Sequence, residues 1–272
     1  MNIKKDYSAL DDFRLIAAIL VVTIHTSPLS SYNTMADFVL TRIIARLAVP
    51  FFIMVSGFFL FKKFTSDQKR NFAVINNFTK KISLIYLFSV ILYLPVNFYM
   101  GYFNKITWQE ILRDIFFDGT LYHLWYLPAI ILGVYLTYFI YRFLPVIPTV
   151  SLLYLIGLFG DNYFKLSQSL PIINGFYKLI FAVFSQTRNG LFLVPVFLVM
   201  GGMLAKKEEK RISKLLNLFL FLIFIVLMVL EGLIINHYDL QRQDFNTMYF
   251  MLIPASYFLF SLDRKSTRLN SS

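Results

Sequence analysis

The chain of 272 residues contains no cysteine, which excludes disulfides, thiol nucleophiles and thiolate metal ligands. Charge is scarce as well: Asp, Glu, Lys and Arg make up 15% of the residues, against roughly a quarter in a soluble domain. The acidic sign is the scarcer one, with 15 carboxylates to 26 basic residues, and only three histidines occur. No metal site is expected from so thin a supply of ligands. Internal repeats and long polar linkers are missing too, so nothing divides the chain into soluble domains.

What is present is apolar. Hydrophobic residues make up 58% of the chain, with 31 Phe and 17 Tyr, and mean hydropathy is +0.64. A bilayer core of ~30 Å takes ~20 mostly apolar residues as a helix. Runs of that kind recur at 13–29, 43–61, 82–100, 121–141, 149–160, 191–205, 215–236 and 248–262, the fifth and sixth being short. They are continuous in Leu, Ile and Phe and show no period of two, which favours helices over a transmembrane barrel. The expected fold is therefore all-α, a polytopic transmembrane bundle of about eight spans forming one domain over residues 1–262. Residues 176–184, inside the half-polar segment 161–189, are too short to span and suit a re-entrant or interfacial helix. Lys4 and Lys5 before an apolar run have the outline of a signal peptide. Arg14 within the run, the want of a small-residue cleavage site and the spans that follow make it a retained first helix.

A net charge of +11 raises the question of nucleic acid, but the basic residues lie between apolar runs and form no separate basic domain. No nucleic-acid partner is expected; the partner is the bilayer. Cytoplasmic segments carry the excess of Lys and Arg. Placing the N-terminus inside puts seventeen of the 26 on the cytoplasmic side and eight outside, with Arg14 in the membrane. Carboxylates split evenly, seven and seven, with Glu231 in a span, so the bias is specific to basic residues. The expected location is the cytoplasmic membrane of a bacterium, multi-pass, with the N-terminus cytoplasmic.

Ionisable side chains within spans are costly and mark functional sites. Arg14 and His25 of the first span and Glu231 of the seventh meet that test. Arg14 and His25 are eleven residues apart, three turns and about 20°, so they share one side of the helix ~16 Å apart along its axis. Arg14 reads either as a snorkelling anchor or as part of a site. His25 reads as a helix-packing hydrogen bond or as a general base, since imidazole titrates near neutrality. Glu231 reads as an outward salt bridge or a pore residue. Pro50, Ser56 and Gly57 in the second span would kink it and allow close helix approach. Lys80 and Lys81 end a basic loop before the third span, as a topological anchor or a docking point for an anionic cofactor such as the phosphates of coenzyme A. His123 and Trp125 open the fourth span at the outer interface, where an aromatic belt is ordinary.

The order of segments is more specific than any one of them: LDDFRLIAAILVVTIH, VPFFIMVSGFFLF, FTKKISLIY, HLWYLPAI and LVMGGMLAKK. It resembles the integral-membrane acyltransferase 3 family, over about Leu10 to Leu262. The resemblance implies transfer of an acyl group, often acetyl, from a cytoplasmic acyl-CoA to a hydroxyl of a cell-envelope acceptor. It implies His25 as catalytic base, Arg14 beside it, and Asp11 pairing with Arg14 near the donor. Lys80 and Lys81 stand where the family has an Arg-rich loop, and Lys lacks the bidentate fork that suits phosphate.

Within the family, LYHLWYLPAI, IGLFGDNYF, PIINGFY and TRNGLFLVPVFLVMGG resemble the membrane half of membrane-bound serine/alanine racemases of glycopeptide-resistance type. That implies a second function, a module supplying or transporting a small amino acid such as serine without acyl transfer. Arg14, His25, Glu231 and Arg188 would line its path, and Arg188, His123, Trp125 and Ser56 are also candidates for an acceptor site. A structural anchor is a third reading, one that explains neither buried ionisable residue. Relatives have about ten spans, so eight reads as an incomplete count. The tail RKSTRLNSS resembles adapter sequence, and residues 263–272 are expected to be non-native. The acceptor, the acyl group and the oligomeric state are not legible in the sequence.

Overall fold

The computed structural model describes residues 8–104, 106–120, 124–206, 213–243 and 247–269, with side chains between Phe13 and Leu262. Among these residues the chain is all-helical and has no strand. α1 (Ser8–Thr26) contains no Gly or Pro and stops where Pro28 bars further helix; Ser27 takes a left-handed turn with φ of 44°. α2 runs from Thr34 to Phe61, beginning nine residues before the apolar run. The Asn33 side chain caps it by accepting from the Ala36 N–H at 2.9 Å. Pro50 has no N–H to give the Arg46 carbonyl and crowds it, and just upstream the helix loosens to a π turn over Val39–Ile43 and tightens to 3-10 over Ile44–Leu47.

α3 (Gln68–Tyr99) corrects one expectation. Lys80 and Lys81 are not in a loop but mid-helix, because Asp67 caps the helix at Lys69 and Arg70 and no Gly or Pro follows before Pro95. Its 32 residues make a rod of about 48 Å. α4 (Trp108–Arg113), opened by a capping box between Thr107 and Glu110, is followed by α5 (Tyr126–Phe143) and α6 (Val146–Phe159). The half-polar segment forms α7 (Phe164–Gln168) and α8 (Pro171–Val183), the latter covering most of the expected interfacial helix. α9 (Val194–Lys206), α10 (Lys214–His237) and α11 (Leu252–Leu269) complete the bundle.

Among the described residues four helices, Thr34–Phe61, Gln68–Tyr99, Tyr126–Phe143 and Lys214–His237, are long and apolar enough to cross a membrane. The protein is a membrane protein by this measure. Leu84, Ile85, Leu87 and Phe88 on α3 and Leu222, Val226 and Leu230 on α10 are exposed, apolar side outward as lipid requires.

The core is the crossing of α2 and α9. A Cβ on Gly57 would lie 2.2 Å from the Leu198 carbonyl oxygen, and one on Gly201 2.0 Å from that of Met54. Backbone meets backbone there, and only glycine permits it. Phe51, Ile53, Met54, Phe197 and Leu198 fill the seam. Lipid tails are as apolar as these side chains, so close packing rather than escape from water holds the crossing. α9 also packs on α5 and α6, α3 on α5, α10 on α11, and α1 on α2 and α11.

Candidate functional site

Phe13, Ala17, Leu20 and Val21 form the stripe of α1 that packs into the core. At 100° per residue Arg14 and His25 both fall about 60–80° round from Ala17, on one flank of that stripe. Arg14 is half-buried with its guanidinium 5.6 Å from the centroid of the Phe59 ring, near the end of α2. His25 is exposed, one residue from the C-terminus of α1. The helix thus has an Arg14 end and a His25 end.

At the His25 end, Ile24 forms one wall of a cavity of about 30 Å³ shared with Arg46, Pro50, Trp125, Arg188 and Thr247. Arg46 and Arg188 are 7% and 4% exposed. Arg188 lies 5.2 Å from the Trp125 ring centroid, and its Nε donates to the Gln186 side-chain oxygen. Behind the cavity Asp161 accepts from the backbone of Thr247 at 3.2 Å and of Met248 at 2.9 Å, and from the Thr247 hydroxyl. Its enclosure raises this carboxyl above the usual carboxylate range; the hydrogen bonds and the charges of Arg188 and Arg46 oppose the rise.

Local sequence builds these walls. The Asn162 amide donates to the Met248 carbonyl at 2.6 Å, and the Arg242 N–H to that of Asp161 at 3.0 Å. This ties GDNYF to the start of α11. On the other wall, Asn189 Oδ1 accepts from Leu191 and Phe192 and the Thr187 hydroxyl donates to the Gly157 carbonyl at 2.7 Å, which seats TRNG against α6. Arg242 lies over Phe181 at 3.5 Å and donates to the Ser185 carbonyl.

Of the residues singled out from sequence, the fold brings Arg188 and Trp125 together beside α1. Ser56 back-bonds to the Phe52 carbonyl at 3.0 Å and shares a hydrogen bond with Tyr126, the neighbour of Trp125. Glu231 is elsewhere: its carboxylate accepts from Tyr163 and from the N–H groups of Phe250 and Met251, binding α10 to the start of α11. Lys80 and Lys81 are exposed on α3, off the Asn71, Ile75, Thr79 and Tyr86 face that packs inward. At the Arg14 end the basic residues that gather are Arg142 and Lys206, lining an open cleft of about 510 Å³ with Gln68 and Asn71. His123 and the side chain of Asp11 lie outside the described residues.

Three residues in or behind the cavity escape a reading of the sequence. Arg46 looks like topological charge, and Asp161 and Thr247 look like loop residues. The one signal is Asp161 standing directly at the end of the apolar run 149–160.

Residues 7–271 match a family model described as an acyltransferase domain. Two amino-acid racemases of Enterococcus faecalis are 41% and 37% identical over 270 and 260 residues. A serine/alanine racemase of Enterococcus gallinarum is 36% identical over 260 residues. These alignments take in 93–96% of this chain but 36% of each relative, so the chain spans about a third of the length of the curated relatives it matches. No solved structure matches it.

Proposed function

The chain belongs to the integral-membrane acyltransferase 3 family, and from that premise we propose that it moves an acyl group, acetyl in the simplest case, from acyl-CoA in the cytoplasm to a hydroxyl of a cell-envelope acceptor. In this reading eight helices cross the plasma membrane with the N-terminus inside, so the Arg14 end faces the cytoplasm and the His25 end the exterior. The observation that carries it is the placing of Arg14 and His25 on one flank of one unbroken helix, with Ile24, the residue before His25, lining a cavity.

The His25 imidazole takes the acceptor's hydroxyl proton as the oxygen attacks the thioester carbonyl. The C–O bond forms, the C–S bond breaks, and the imidazolium returns the proton to the departing thiolate. Arg14, ~16 Å back along the axis, places positive charge where an anionic donor enters. Lys80 and Lys81 add charge on the same side without a fork for phosphate.

Loss of a general base costs ~10²–10⁴-fold. Purified His25→Ala protein supplied with labelled acetyl-CoA and envelope acceptor should lose transfer by that factor while unfolding at the wild-type temperature; equal transfer rates would sink the mechanism.

The names of the racemase relatives favour a second reading, in which the bundle supplies a small amino acid such as serine and transfers no acyl group. Uptake of labelled L-serine by cells would then rise with expression of the chain. No change in uptake removes this reading.

A further inference from the structure

We propose that the cleft at the Arg14 end holds one anionic phospholipid, its phosphate against Lys206 and Arg142 and one acyl chain in the apolar slot beside them. The orientation given under the proposed function makes this a lipid of the inner leaflet; the site itself does not depend on acyl transfer.

The case begins with two neighbouring hollows of opposite character. One, of about 220 Å³, is walled by Phe61 of α2, Val146 and Ile147 of α6, and Val199 and Met203 of α9. The other, of about 510 Å³, is walled by Ser66, Gln68 and Arg142 with their neighbours. Tyr141 and Lys206 line both, so the apolar and polar sides meet at that pair. Lys206 is held there: its Nζ donates to the Tyr141 hydroxyl at 3.1 Å and lies 5.1 Å from the centroid of the ring. The Arg142 guanidinium, on the next residue of α5, lies 4.9 Å from the centroid of the Phe143 ring. Among the described residues the charged side chains lining the two hollows are these two, both basic.

Position then selects the occupant. α2 ends at Phe61, α5 at Phe143 and α9 at Lys206, and α6 begins at Val146, so four helix ends surround the slot. In a membrane bundle such ends lie where hydrocarbon gives way to headgroups. The slot opens sideways, toward lipid: Ile147 and Met203 on its rim are at least half exposed, and so are Phe139 and Phe143 on α5 nearby. An apolar cavity of ~150 Å³ takes up a benzene ring, so this one admits a stretch of acyl chain. A water-soluble anion would leave the slot bare, and a neutral lipid would leave the two cations without an anion. An anionic phospholipid fills both, and basic pockets between membrane helices on the cytoplasmic side are where such headgroups are held.

The test uses the full chain in a neutral detergent without acyl donor. Binding of palmitoyl-oleoyl phosphatidylglycerol is followed by native mass spectrometry beside phosphatidylcholine of the same chains, with glycerol 3-phosphate and acetyl-CoA as competitors. Each basic side chain near an anionic headgroup is worth about fivefold, so phosphatidylglycerol should bind ~25-fold the more tightly. The Arg142→Gln, Lys206→Gln double variant should lose that preference. Ile147→Trp fills the slot from an exposed position and should weaken both lipids roughly tenfold at an unchanged melting temperature. Neither competitor should displace the lipid. Equal binding of the two lipids, a preference intact in the double variant, or wild-type affinity in the tryptophan variant would each overturn the proposal. So would displacement by glycerol 3-phosphate, which assigns the cleft to a free phosphate, or by acetyl-CoA, which assigns it to the donor. Lipid preference in a protein that transfers no acetyl refutes acyl transfer and leaves this site standing. Acetyl transfer by a protein without that preference does the reverse.

Discussion

Replacing Glu231 with alanine separates its two sequence-derived roles, because a helix anchor and a pore residue fail in different ways. Oε1 accepts from Tyr163 at 2.8 Å and from the Phe250 N–H at 2.7 Å, and Oε2 from the Met251 N–H at 2.9 Å. Alanine strands three donors, two of them backbone groups at the start of α11. Each stranded donor costs ~1–3 kcal/mol when fully shielded. Phe250 is 37% exposed and finds water, so the loss is ~2–4 kcal/mol rather than the full sum. For a chain of this size ~2–4 °C is lost per kcal/mol, so melting in detergent should fall by ~4–16 °C. Glu231→Gln keeps one carbonyl oxygen able to accept twice and should lose less than half as much. The assay is differential scanning fluorimetry on both variants beside L-serine uptake at matched amounts of folded protein. Wild-type melting in the alanine variant, or abolished uptake in a glutamine variant of full stability, would refute the anchoring argument.

Gly201→Ala places a methyl group 2.0 Å from the Met54 carbonyl oxygen and must force α2 and α9 apart. The cost should be ~1–3 kcal/mol in SDS-induced unfolding, and less than additive with Gly57→Ala at the same seam. Enclosure raises the Asp161 pKa, so folding favours its protonated form. The stability this gives is complete below the ordinary carboxylate pKa and is lost as pH rises through the raised, folded value. Asp161→Asn should therefore gain on wild type in melting temperature as pH rises above the ordinary carboxylate value of about 4, and a constant difference contradicts the shift. The Lys80→Gln, Lys81→Gln double variant alters only exposed side chains and should stay within ~0.5 kcal/mol of wild type. If those lysines receive the donor, KM for acetyl-CoA rises with kcat nearly unchanged; an unmoved KM assigns them to topology alone.

The helices are legible in the sequence because lipid leaves a run of Leu, Ile and Phe no other way to satisfy its backbone. Their ends are less so. Lys80 and Lys81 mark the expected membrane boundary, and taking a boundary for a helix terminus hides the further turns that Asp67 starts. Asn33 does the same for α2. Arg14, His25 and Glu231 stand out as charges in costly places, but the partners of Glu231 are backbone N–H groups, to which no residue letter points. Arg46 is the instructive failure. The same count of basic residues that yields a topology treats every arginine at the edge of a span as solvated, and only the convergence of α2, the segment before α9 and the start of α11 turns this one inward.

The two short runs make the same point from the other side. α6 and α9 have 14 and 13 residues, about 20 Å each, well under the ~30 Å of a hydrocarbon core. A weak span is the natural inference from sequence. Yet α9 is deeply buried, with Val194, Phe197 and Leu198 fully enclosed. Its neighbours, not its own length, shield it from lipid. Where the helices stop short, irregular chain occupies depth that helix would otherwise fill, and this is tolerated only when its polar groups are met by protein. Asn162, Thr187 and Asn189 meet them, hydrogen-bonding the Met248, Gly157 and Gln186 carbonyls. The brevity of α6 and α9 is thus what makes room for a polar cavity at the His25 end, walled by the very segments that replace the missing turns.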